Sequence, residues 1–124
     1  MIGEVWSAVE AKMKALAFIL TAEDTETQAG RNYWINVPET NTDQSRKGGI
    51  GSGTIAANRK MTVTVYYRKN PTNSRQEKAI LEDQEKIIKA LHGALGVIWY
   101  ESSRLVSRPD SRLSEITLNI RDYF

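Results

Sequence analysis

The hydrophobic period of this chain alternates between helical spacing and strict two-residue alternation, and the order of those switches limits the folds open to it. Ile2, Val5, Trp6, Val9, Met13, Leu16, Ala17 and Leu20 recur at steps of three and four. That spacing predicts an amphipathic helix of about five turns. Arg31 to Val37 alternates instead, with Tyr33, Ile35 and Val37 on one face, and Pro38 ends the run. Arg59 to Lys69 alternates more clearly, setting Met61, Val63, Val65 and Tyr67 against Thr62, Thr64 and Tyr66. Asn70-Pro71 breaks this strand, and Ser74-x-x-Glu77 has capping-box spacing for a second helix. Its apolar face is Ala79, Ile80, Ile87, Ile88 and Leu91, and Gly93 is its stop. Strand signals follow at Val97 to Tyr100 with Arg104 to Arg108, and at Leu113 to Ile120 with Ile116, Leu118 and Ile120 inward.

The resulting order is α-β-β-α-β-β, a doubled αββ unit. It predicts an α+β fold: a four-stranded, mostly antiparallel sheet with two helices packed on one face. At 124 residues the chain is below the roughly 150 at which a second domain becomes a serious prior, so residues 1–124 read as one domain. The segment from about 38 to 58 has few apolar side chains and four glycines, and it reads as a long flexible loop.

Composition narrows the chemistry. With no Cys and one His, disulfides, thiolate catalysis and cysteine-ligated metals are excluded. The apolar run Ala15 to Leu20 is too short for a secretory leader, and no stretch reaches the ~20 apolar residues of a membrane span. A reducing compartment, a cytoplasm, is the expected setting. The net charge of +2 conceals opposed segments. Residues 1–30 carry two lysines against five acids, whereas Arg59, Lys60, Arg68, Lys69, Arg75 and Lys78 face only Glu77. Such opposition suits head-to-tail contact between copies, but on charge alone solvated faces are the favoured reading.

Motifs with chemical meaning fail on context. Gly51 to Ala56 fits G-x-G-x-x-A, but a dinucleotide fingerprint needs a buried strand before it and a helix after it. Gly48 to Gly53 has P-loop spacing with Thr54 where the lysine belongs. His92 sits at a helix C-terminus, where the helix dipole favours a cation, and no serine has the G-x-S-x-G setting of a hydrolase. Glu23, Asp24 and Glu26 lack the spacing of a calcium loop. No catalytic residue, metal ligand or cofactor site is expected. Trp34 opposes the inward residues of its strand and fits either an interface or a second core face. Tyr123 and Phe124 fit either the subunit's own core or a neighbour. Tyr66, Tyr67, Arg68 and Lys69 raise single-strand nucleic-acid binding, although the RNA-recognition order βαββαβ is not this one.

Taken together, the N-terminal helix MIGEVWSAVEAKMKAL, the strand RNYWINV, the long loop, the strand RKMTVTVYYRK, the second helix and two closing strands resemble the tail terminator (tail completion, or neck) proteins of long-tailed bacteriophages. The resemblance lies in length, element order and sequence character over the whole chain. It implies a non-enzymatic virion protein, assembled in the bacterial cytoplasm, that forms a ring, commonly a hexamer. That ring caps the tail tube, ends its polymerisation and offers the surface joined by a head-completion or connector protein, with DNA only passing through the lumen. Under this implication Arg46, Lys47, Gly48, Gly49, Gly51 and Gly53 form the tube-facing or lumen loop. Trp34, Arg59, Lys60, Arg68, Lys69, Tyr123 and Phe124 become subunit-interface residues. Another neck or head-closure component, or a small basic nucleic-acid module, is the alternative.

Overall fold

The structure, a computed structural model, describes residues 1–23, 31–44 and 55–124. Helix α1 (Ile2–Ala15) buries Val5, Val9 and Met13 along the expected stripe, but it ends a turn before Leu20. The cause is local. Phe18 N–H bonds the Met13 carbonyl and Ala17 N–H that of Lys14, while Ala17 takes a left-handed φ of 66°. This is a Schellman termination, built here without the usual glycine. Buried Phe18 anchors it.

The chain released by that turn forms β1 (Ile19–Leu20), which pairs in parallel with β2 (Asn32–Gln44). With β3 (Ile55–Arg68), β4 (Ile98–Ser107) and β5 (Ser111–Tyr123) it makes a five-stranded mixed sheet in the order β1-β2-β3-β5-β4. The expected α+β class holds, with one correction: there are five strands, and the added one is parallel. Two residues, of which Leu20 still fits the helical stripe, are too few to carry a strand period, which is why β1 is silent in the sequence.

Pro38 does not end β2. The ladder breaks between Asn36 and Glu39 and resumes at Glu39↔Lys60, continuing to Gln44↔Ile55. Proline is tolerated because β1 pairs only with Asn32 and Tyr33, leaving this part of β2 as an edge that needs no second partner. Much of the expected 38–58 loop is therefore hairpin. Its outer strand, Glu39 to Thr42, is exposed, so no apolar alternation marks it. Arg46, Lys47, Gly48, Gly49, Gly51 and Gly53 lie outside the described residues.

Helix α2 (Gln76–Leu91) begins without the predicted capping box: its N-cap is Arg75, and no side chain caps it. Instead the Gln76 carboxamide accepts from Asn70 N–H at 3.0 Å and donates to the Arg68 carbonyl at 2.6 Å, fastening the helix start to the end of β3. Gly93 does stop the helix, at φ 80°, with its N–H on the Ile98 carbonyl. β4 is continuous across the expected gap, carrying a bulge between Tyr100 and Ser102.

One core joins these elements. Val5, Val9 and Met13 of α1 and Ile87 and Leu91 of α2 pack with Tyr33, Met61, Val63, Val65, Ile98, Ile116, Leu118 and Ile120. In register these strand residues share a single sheet face. The inward residues expected of β3 and β5 are therefore those observed, and the opposite face carries no helix.

Candidate functional site

Antiparallel register sets one row across the helix-free face: Trp34, Thr64, Glu115 and Arg104. Arg104 donates to Glu115, with Nε to Oε1 at 3.0 Å. Trp34 is only 4% exposed, and its ring lies 6.4 Å from that of Tyr66. Of the two roles open to Trp34, the second core face is the one occupied; as an exposed interface residue it is corrected. A cleft of about 340 Å³ runs beside it, lined by Pro38, Thr62, Val106 and Leu113 among others. Glu23, Arg104 and Arg108 also line that cleft.

The basic strand β3 is divided by its own pleat. Arg59 faces the helix side, where its guanidinium holds both oxygens of the Asp122 carboxylate at 2.9 and 2.7 Å. Asp122 is fully enclosed, and Phe124 lies 5.3 Å from the guanidinium. Arg59 as an interface residue is therefore corrected to an internal ion pair. Sequence could not find it, because Asp122 stands 63 residues away and meets Arg59 only through the β3–β5 register. Lys60, on the other face, pairs with Glu101 at 3.1 Å, and that hydrogen bond and charge raise its pKa.

Arg68 and Lys69 lie at the far end of the strand, about 26 Å from Lys60. With Tyr66, Pro71, Pro109 and Asp110 they line an open cleft of about 550 Å³. Tyr67 points the other way, donating its hydroxyl to Asp83 at 3.0 Å, and burial followed by the Asp83 charge pushes its pKa up. Tyr66 and Tyr67 thus sit on opposite faces and do not form one stacking platform for bases. Tyr33 is raised in the same way, to about 12, by burial and the Glu10 charge.

Apart from Met1 and Leu81 at the helices, the exposed large apolar side chains among the described residues mark three places on the sheet. Ile19 and Leu20 stand on the β1 edge at 48% and 47% exposure. Leu95, Trp99 and Tyr100 stand at the β4 edge, and Ile55, Tyr123 and Phe124 at the sheet end where the Phe124 backbone pairs with Ile55 in both directions. Leu95 is held at a left-handed φ of 55°, which costs a branched side chain about 1–2 kcal/mol. His92 is the C-cap of α2, as expected, and its Nδ1 accepts the Tyr100 N–H at 3.0 Å while its ring stands edge-on to Trp99 at 5.5 Å. Neither edge cluster is legible in sequence, since each depends on which strands end the sheet.

No family model matches the chain, and no curated protein matches its sequence. Among the described residues no group of three His, Asp or Glu side chains is placed to hold a metal ion, and no helix is long and apolar enough to cross a membrane.

Proposed function

We propose that this chain is a ring-forming structural protein of a phage tail, a tail terminator. The observation that carries the reading is where eight of the ten exposed large apolar residues among those described stand, on both lateral edges and one end of a single sheet, with Met1 and Leu81 as the other two. A protein that works by repeated contact needs such surfaces on opposite sides, because a head-to-tail interface uses two different patches of each copy. The element order of the resemblance supports the same conclusion. A tube end is a row of unsatisfied contact surfaces, and a closed ring seated on it removes the template for the next layer.

In this proposal Arg46, Lys47, Gly48, Gly49, Gly51 and Gly53, which lie outside the described residues, meet the tube or line the lumen. Two measurements test the reading. Native mass and electron microscopy of the purified chain should give closed rings of one size, and those rings should stop growth of the cognate tail-tube protein. A chain that stays monomeric at high concentration and leaves tube length unchanged overturns it. In a complementation assay, deleting Gly48 to Gly53 should lengthen tails or abolish head joining; unaltered tails would remove the loop's role.

A further inference from the structure

We infer that His92 is a pH-sensitive latch on the Ile98–Tyr100 end of β4: its neutral imidazole closes the Tyr100 amide, and its protonated form releases that amide and turns to the Trp99 indole. The inference concerns the folded chain alone and does not depend on the tail-terminator reading.

β4 is the last strand of the sheet, so one side of its backbone has no neighbouring strand. Which groups lie on that side follows from the ladder. Arg121 N–H bonds the Val97 carbonyl, so Val97 and Trp99 turn their backbone groups inward to β5, while Ile98 and Tyr100 turn theirs outward. The turn after α2 folds back over them. Gly93, at a left-handed φ of 80°, gives its N–H to the Ile98 carbonyl at 2.7 Å. His92, the residue before it, sets Nδ1 on the Tyr100 N–H at 3.0 Å. An imidazole thus occupies the place where the carbonyl of a strand partner would accept.

A carbonyl accepts at every pH, and an imidazole does not. The neutral form has one bare nitrogen, here Nδ1, whereas the imidazolium carries hydrogen on both nitrogens and only donates. Protonation therefore sets two donors against each other, Nδ1–H and Tyr100 N–H, at a distance that requires one of them to accept. The cation has a second place to go. The Trp99 ring lies 5.5 Å away at an interplanar angle of 72°, inside the ~6 Å within which an indole face attracts a cation. The carbonyl end of α2, which His92 caps, supports the cation as well. His92 is exposed, so solvent protons reach it. It is the only histidine, and so the one side chain whose ordinary titration falls between about pH 5 and 8.

On the elements that meet His92, the charged or titratable side chains nearest in sequence are Lys89 of α2 and Tyr100 and Glu101 of β4. The Tyr100 hydroxyl is bonded to Ser103 at 2.9 Å, and Glu101 is paired with Lys60 at 3.1 Å. His92 itself contacts the Tyr100 N–H and the Trp99 ring, and among the described residues it is ion-paired with no carboxylate.

NMR of the full chain, titrated from about pH 8 to about pH 5, tests the latch. In the wild type the Tyr100 amide and Trp99 indole resonances should move together with the His92 ring protons. Exchange of the Tyr100 amide, corrected for its intrinsic pH dependence, should quicken by about 3- to 10-fold across that transition, the net worth of one hydrogen bond. His92→Asn keeps an acceptor, with Oδ1 in the place of Nδ1, but does not titrate; its Tyr100 amide should stay protected throughout. His92→Phe keeps an aromatic ring without an acceptor, and its Tyr100 amide should exchange at the faster rate at every pH. A wild-type Tyr100 amide or Trp99 indole that ignores the His92 transition overturns the inference, as does a Tyr100 amide that responds equally in His92→Asn. Each of these outcomes leaves the tail-terminator reading where it stood.

Discussion

At the scale of single residues, the most consequential arrangement is one that charge counting misassigns. Arg59 belongs by sequence to a basic patch, yet it is 8% exposed and bonded to a carboxylate that is fully enclosed. Removing one partner leaves an uncompensated buried charge, so Asp122→Ala should cost about 3–5 kcal/mol. Replacing both, Arg59→Met with Asp122→Leu, should cost far less than Asp122→Ala alone, and urea unfolding of the three proteins checks this. Equal losses in the single and double variants would show that packing rather than charge sets the cost. The buried tyrosines add a pH dependence. Tyr33 titrates near 10 when unfolded and near 12 when folded. The stability it contributes is complete below pH 10 and is lost as pH rises through 12, about 2 kcal/mol by the upper limit. Tyr67 shifts in the same direction. Tyr33→Phe should therefore make the alkaline fall of the urea midpoint shallower, and an unchanged slope would remove Tyr33 as its source.

At the scale of elements, the ends are where local pattern and observed structure part. Strand β3 and the inward residues of β5 follow their alternation, because one face is buried and a one-residue slip would expose it. Helix α1 stops at the Ala17 turn, and Arg31 supports that stop by donating to the Leu16 and Ala17 carbonyls at 2.7 and 3.3 Å, groups that a longer helix would have paired itself. Ala17 bears the left-handed strain at that end. Ala17→Gly should relieve it and raise stability by about 0.5–1 kcal/mol, after allowing for the greater freedom of glycine in the unfolded chain. Thermal unfolding measures it, and destabilisation would mean that the Ala17 methyl has a packing role. The hairpin beyond Asn36 was hidden for a different reason. Its outer strand is exposed from Glu39 to Thr42, so no hydrophobic period there records the pairing of Glu39 to Gln44 with Ile55 to Lys60.

At the scale of the whole molecule, one sheet face is covered by both helices, and the other, without a helix among the described residues, still buries Trp34, Thr64 and Leu113. The helices close the core on one side. Deleting a side chain at its centre, as in Leu118→Ala, should cost about 2–5 kcal/mol by cavity formation, read from denaturant unfolding of the monomer. An edge substitution such as Leu20→Glu, at a half-exposed side chain, should instead leave monomer stability within about 0.5 kcal/mol. That separation distinguishes core residues from edge residues.

The amino-acid order by itself determined which residues turn inward, because helical and strand periods are local and a buried face writes them directly into the sequence. It also determined what chemistry is unavailable, through the missing cysteine and single histidine. Only the tertiary structure decided that Arg59 is internal, that Tyr66 and Tyr67 part company, and that β1 and β4 end the sheet. Those facts depend on register and strand order. Register relates residues such as Arg59 and Asp122, 63 positions apart, and nothing in either neighbourhood encodes the other.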